Sequence, residues 1–182
     1  MKGPSTLVLW GALAAVPGCG SDGTSSSGPS PIDISGVYVV THHTRNASSC
    51  DTEGTELATY THFQAVSTSG SGFSVVECGS ADPASCTTPS AAPFNGQLIA
   101  AFDTPEADGW SLEIVASSTL SGCRLIFETD RAVLTDAELR IESRDYGEDT
   151  DPAGPNCSIE AAAARNTSMP CEEFVVVAGT RL

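Results

Sequence analysis

From Gly36 onward the chain alternates polar and apolar positions, or runs apolar over strand-length pieces, between clusters of Gly, Pro, Asp and Ser. That period of two is the signature of half-buried β-strands. Residues 36–42 are β-branched and aromatic, and 57–67 read as a longer strand with Tyr60, Phe63 and Val66. Residues 72–78 put Phe73 and Val75 on one face; 96–102 put Leu98, Ala100 and Phe102 together; 110–116 do the same for Trp110, Leu112 and Ile114. Residues 120–129 align Cys123, Leu125 and Phe127, and 131–134 add a short piece beyond Asp130. In 137–146, Leu139 and Ile141 alternate with Glu138, Arg140, Glu142 and Arg144, as in an antiparallel strand with one wet face. Residues 174–178 are apolar throughout and predict a strand buried on both sides.

One segment departs from the pattern. Ser158 followed by Ile159, Glu160, four alanines and Arg165 has an N-cap, an acidic first turn and a basic end, and Pro170 blocks continuation. The prediction is a mainly β fold of eight to nine antiparallel strands, with one short helix before the last. A closed barrel and a two-sheet sandwich both satisfy this periodicity.

Ahead of the strands, Lys2 is followed by an apolar run over 7–16 and the small residues Val16, Pro17 and Gly18. This is the order of a secretory signal peptide, and the run falls short of the about 20 residues that a membrane-spanning helix needs. Val16-Pro17-Gly18-Cys19 resembles the lipobox of bacterial lipoproteins. The resemblance implies that Cys19 is acylated, becomes the new N-terminus and holds the protein on a bilayer. Gly20, in place of Asp, implies the outer membrane of a diderm cell envelope. The alternative is an ordinary secreted protein cut nearby, with Cys19 a spare thiol. The chain then divides into a signal peptide (1–18), a Ser/Gly/Pro-rich tether (19–31) and one β domain (32–182).

Charge narrows the partners. Lys2 is the only lysine, so the processed chain carries seven arginines against 23 acidic residues. Nucleic acid and anionic lipid surfaces both need a basic face, so neither is expected as a partner.

Setting Cys19 aside leaves Cys50, Cys78, Cys86, Cys123, Cys157 and Cys171. An even number in an exported chain implies three disulfides, and six cysteines allow about 15 connectivities. The spacing favours Cys78–Cys86 across a loop, Cys157–Cys171 across the helix and, by elimination, Cys50–Cys123. No Cys-x-x-Cys pair points to zinc.

Three patterns carry candidate chemistry. Residues 149–160 match a calcium-loop template at Asp149, Asp151, Gly154 and Glu160, with Ala153 where a third oxygen ligand belongs. The plain alternative is an acidic Pro/Gly surface loop, and no other cofactor is expected. His42 and His62 would share a cluster with Asp51, Glu53 or Glu56 if their strands paired side by side, while His43 must point to the opposite face from His42. No Ser-His-carboxylate motif sits in a strand–elbow–helix context, so an enzyme is not expected.

The order of elements, with Gly36-Val37-Tyr38 opening the first strand and Arg181 closing the last, is similar to lipocalin-like (calycin) barrels. That resemblance implies that Arg181 packs on the Tyr38 ring, and that a small apolar ligand sits among Tyr38, Tyr60, Phe73, Phe102, Trp110 and Phe127. The functional expectation is a lipid-anchored envelope protein whose β domain binds a small ligand or another protein. The alternatives are a structural or assembly lipoprotein without a ligand and, last, a metal-dependent hydrolase.

Overall fold

The structure, a computed structural model, describes residues 31–57, 60–68, 72–86, 98–119, 122–150 and 157–182. The signal peptide, Cys19 and all but the last residue of the tether lie outside the described residues. The strands are β1 (Gly36–Asn46), β2 (Thr55–Glu56), β3 (His62–Ser67), β4 (Phe73–Cys78), β5 (Leu98–Phe102), β6 (Thr104–Pro105), β7 (Gly109–Ser118), β8 (Cys123–Thr135), β9 (Glu138–Thr150) and β10 (Cys171–Arg181). Helix α1 (Ile159–Arg165) precedes the last of them.

Nine strands follow one antiparallel path, β5-β4-β3-β1-β10-β9-β8-β7-β6, and β2 pairs with β1 off that path. The path curls into a nearly closed barrel, so of the two expected architectures the barrel is the one formed. Its two edge strands are consecutive in the chain. β5 passes into β6 through the single residue Asp103, whose N–H donates to the Ser111 carbonyl on β7 (3.1 Å). The chain itself therefore bridges the seam, and neither edge lies far from cover.

Several strands run longer than the pattern suggests. Residues 120–129 and 131–134 read as two pieces broken at Asp130, yet β8 is continuous through it. A charged residue is a poor strand former on average, but here a full ladder on both sides holds it, with Leu112 and Ser143 as its register partners. In contrast, among the described residues the strand expected over 57–67 forms only from His62 to Ser67, as β3, and the short β2 lies ahead of it at Thr55–Glu56. β8 turns into β9 through Asp136 and Ala137, with Asp136 in the left-handed region (φ 54°), which aspartate tolerates. At the start of β7 a glycine is obligatory: a Cβ on Gly109 would sit 1.8 Å from the Ala132 carbonyl oxygen.

The fold has two apolar layers. Inside the barrel lie Tyr38, Phe63, Phe73, Val75, Phe102, Trp110, Leu139, Ile141 and Val177. Residues ahead of β1 close this end: Ile34 is fully buried, the Tyr38 hydroxyl donates to its carbonyl (2.7 Å), and Trp110 Nε1 donates to the Ile32 carbonyl (2.6 Å). Arg181 ties the last strand to the first. Its guanidinium donates to the Tyr38 hydroxyl (2.9 and 3.1 Å) and to the Asp33 carbonyl (2.9 Å), 5.5 Å from the Tyr38 ring centroid. The expected packing of Arg181 on Tyr38 is thus observed.

The second layer is on the outer face, where Leu125, Phe127, Tyr146, Phe174 and Val176 pack under α1 and Met169. The helix forms as expected. Ser158 caps it by accepting from the Ala161 N–H (3.2 Å), and its alanine-rich face lets Ala162 press fully buried onto the sheet.

The cysteines pair as Cys50–Cys171, Cys78–Cys86 and Cys123–Cys157. Cys78–Cys86 is as expected; Cys157–Cys171 and Cys50–Cys123 are not formed. The topology explains the exchange. β10 runs antiparallel to β1 with Asn46 opposite Phe174, so the loop leaving β1 brings Cys50 to the start of β10. Cys157 precedes a helix that lies over β7 and β8, which places it at Cys123.

Candidate functional site

The barrel interior is apolar at one end only. In an antiparallel ladder, directly paired residues share a face, and the face repeats every second residue. Ala132 and Ile141 are register partners in the packed interior. Two residues further along the same face come Asp130 with Ser143, and two more along come Glu128 with Asp145. β7 contributes Leu112 opposite Asp130 and Ile114 opposite Glu128, and β10 contributes Val175 and Glu173. β1 supplies His43 and Arg45 to the same level, opposite Val177 and Val175. The end away from Ile34 is therefore a mouth lined by acids and by the apolar flank of β7. Ile114 is 37% exposed although its face is the inward one, so the mouth is open to water there.

Arginine neutralises some of these acids. Arg45 pairs with Glu173, while Arg124 pairs with Glu172 and with Asp149 (3.2 Å). Among the described residues, Glu128, Asp130 and Asp145 have no such partner. Burial raises the Glu128 carboxyl to about 7, and the neighbouring Asp130 and Asp145 charges add to the rise. Burial likewise raises Asp130 to about 6, against hydrogen bonding from Ser143 and from the Ala101 backbone across the seam. Asp145 rises to about 6 through burial and the charges of Glu173 and Glu172, with Arg45 opposing. Asp130 is 4% exposed, and its Oδ1 has no hydrogen-bond partner. A buried acceptor left unmet costs about 1–3 kcal/mol, so this oxygen is a liability to the fold by itself.

Further round the interior, the His43 ring lies 5.1 Å from that of Tyr60. Burial lowers the His43 pKa and, with the Glu77 charge, pushes Tyr60 up; burial also raises Glu77. At neutral pH this side of the mouth is uncharged at His43 and Tyr60.

The residues singled out from sequence land elsewhere. His42 and His62 do not meet. The register pairs His62 with Val39, and a bulge between Val40 and His42 shifts the ladder before His42. Of the named acids, Glu53 reaches His42 (2.6 Å) and also Arg140 (2.5 Å), and Arg140 and Arg144 both bind Glu142. This outer-face chain straps the loop after β1 over β10 onto β9, with Arg144 also donating to the Cys50 carbonyl (3.1 Å). Among the described residues, no three His, Cys, Asp or Glu side chains are placed to hold a metal ion.

In the loop matched to calcium binding, Asp149 sits in the β9 ladder against Arg124, and Glu160 lies in the first turn of α1, its pKa lowered by backbone and Ser158 hydrogen bonds. Asp151 lies outside the described residues. Of the six aromatic residues expected around an apolar ligand, Tyr38, Phe73, Phe102 and Trp110 fill the closed end against one another, at 7% exposure or less. Tyr60 packs at their edge, and Phe127 belongs to the outer layer under α1.

That Glu128, Asp130 and Asp145 share one face at one end of the barrel was missed by sequence reasoning. Glu128 and Asp130 are in phase with Ala132 and Leu134, so a strand read straight through Asp130 would have placed both on the inner face.

No protein-family model, curated protein or solved structure matches the chain.

Proposed function

We propose that the chain is a lipid-anchored envelope protein whose barrel is a binding module, held by acylated Cys19 on the outer membrane and binding through its open end. The supporting observation is the division of the interior. One end is filled by packed aromatic and aliphatic side chains, and the other is lined by carboxylates, of which Glu128, Asp130 and Asp145 have no arginine partner among the described residues. Buried charges without partners lower stability, so their grouping at one end of the barrel is better explained by binding than by folding. The reading assigns the barrel no catalytic step.

Native mass spectrometry of the full chain purified from an expressing bacterial envelope tests this. The expected mass is that of a chain starting at acylated Cys19 with three disulfides and a releasable small molecule, and Cys19→Ser abolishes the acylation. An unmodified Cys19, or a barrel that carries and accepts no ligand, argues against it.

A second reading, attachment to another envelope protein, is favoured by the flank of β7 beyond β6. Among the described residues β6 pairs only with Trp110 and Ser111, and no strand continues that ladder along residues 112–117.

A further inference from the structure

We propose that a cleft on the outer face, between the loop leaving β1 and the turn after α1, binds a neutral pyranose sugar. It lies outside the barrel interior and stands independently of what the barrel holds.

The cleft has a volume of about 410 Å³, within the range of small-molecule sites, about 300–1,000 Å³. Ser48, Ser49 and Asp51 form one wall and Thr167 the other. Tyr146, Met169 and the Cys50–Cys171 disulfide make the floor, where Tyr146 on β9 is the register partner of Cys171 on β10.

Tyr146 is the observation that points to a ligand. The residue is only 9% exposed, yet among the described residues nothing bonds to its hydroxyl. Its ring packs beside Phe127 in the layer under α1 (centroids 6.1 Å apart). Burial raises the pKa of the hydroxyl, with the Arg144 charge opposing and the Asp51 charge adding to the rise. Hydroxyl and carboxylate therefore serve the same cleft. A buried tyrosine ordinarily has a hydrogen-bond partner, and a ligand in the cleft would supply this one.

The wall is set before any ligand arrives. Asn46 Oδ1 accepts from the Ser48 N–H and hydroxyl (both 3.0 Å) and from the Ser49 N–H (3.1 Å), while its amide donates to the Thr52 carbonyl (2.9 Å). The disulfide ties this loop to β10, and Arg144 ties it to β9 through the Cys50 carbonyl (3.1 Å). A site held this way loses little freedom on binding.

The polar groups choose the ligand. Ser49 Oγ accepts from the Asp51 N–H and the Thr52 hydroxyl (both 3.3 Å), so its own proton is left to donate. Ser48 Oγ donates to Asn46, so its lone pairs are left to accept. Tyr146 can do both, and the Asp51 carboxylate accepts at each oxygen. An anion needs donors alone and would meet the Asp51 charge; a cation needs acceptors alone. Donors and acceptors mixed around a floor of sulfur and ring carbon suit a ring of hydroxyls with one C–H face, which is a pyranose.

Met169 supplies the reporter, because the chain has two methionines and the other is Met1. The test is carbon-13 NMR of the full, oxidised chain labelled at its methionine methyls, with Met169→Leu assigning the signal. The probes are methyl glycosides of glucose, mannose, galactose and N-acetylglucosamine at millimolar concentration, with glycerol and n-butylammonium as controls. At least one glycoside is expected to move the Met169 methyl to saturation, and neither control to do so. Tyr146→Phe should weaken that glycoside roughly three- to tenfold and Asp51→Asn at least about tenfold, the effects of a neutral and a charged hydrogen bond. A urea midpoint shared with the parent shows that the variants fold, and Tyr146→Phe decides alone if Asp51→Asn does not. Failure of every glycoside to move Met169, an equal shift from either control, or full affinity in the folded variants overturns the proposal. A glycoside that native mass spectrometry finds bound while Met169 stays still overturns this site and leaves the barrel reading standing.

Discussion

Neutralising Glu128 should stabilise this protein, and only above a definite pH. Its carboxyl titrates near 7 in the fold against an ordinary value of 4.5. Every tenfold change in proton affinity is worth about 1.36 kcal/mol, so ionising Glu128 costs the folded state at most about 3.4 kcal/mol. Partial solvent access brings a realistic figure to about 2 kcal/mol. A raised carboxyl leaves stability intact below the unfolded value, and stability falls as pH rises from 4.5 through 7. The groups around it act in the same direction. Asp130 on β8 and Asp145 on β9 repel it; on β10 Glu173 and Glu172 are paired with Arg45 on β1 and Arg124 on β8, while β7 presents Ile114. Glu128→Gln should therefore match the parent at pH 4, gain progressively between pH 4.5 and 7, and hold a constant advantage of about 2 kcal/mol at pH 8. Urea unfolding of the oxidised chain at four pH values measures this. The difference between the two proteins cancels acids that titrate alike in both, such as Asp33 and Glu53. A variant that is no more stable at pH 8, or equally more stable at pH 4, would refute the buried-charge reasoning.

Two further outcomes follow from the topology. On the chain-entropy model, replacing disulfides by alanine pairs should cost about 5 kcal/mol for Cys50–Cys171, about 4 for Cys123–Cys157 and about 2.5 for Cys78–Cys86, because they enclose 121, 34 and 8 residues. Chemical unfolding of the three double variants checks the order, and a reversed order would show that native contacts outweigh loop closure. Arg181→Ala removes the donors to Tyr38 and to the Asp33 carbonyl and should cost about 2 kcal/mol. Arg181→Lys should recover less than half, since an ammonium cannot fork across both acceptors; full recovery would reduce the tie to simple charge.

How much was legible in the sequence depended on the range of the interaction. Ser158, Glu160 and the alanines placed α1 because a helix cap is a local event within four residues. Leu139 and Ile141 revealed their face because alternation is local too. Asp130 misled because its place in β8 is set by partners on β7 and β9, not by its neighbours in the chain. The Cys50–Cys171 pairing was out of reach for the same reason: it follows from β10 lying between β1 and β9, a fact of strand order that no spacing records. The mouth shared that fate. Glu128 and Asp145 are 17 residues apart in number and opposite one another in the ladder.

The place of β10 in the sheet also decides when the protein can come into being. This strand lies between β1 and β9 and pairs with both along most of its length, so before it arrives the sheet is two separate pieces with facing raw edges. Joining Asn46 to Phe174 closes a very long loop, the kind of contact that makes folding slow. A ribosome, or a secretion channel passing the chain N-terminus first, would hold nearly all of it without a barrel. For the exported protein proposed above, such lateness keeps the chain unfolded during the crossing, and it makes the last eleven-residue strand the step on which assembly waits.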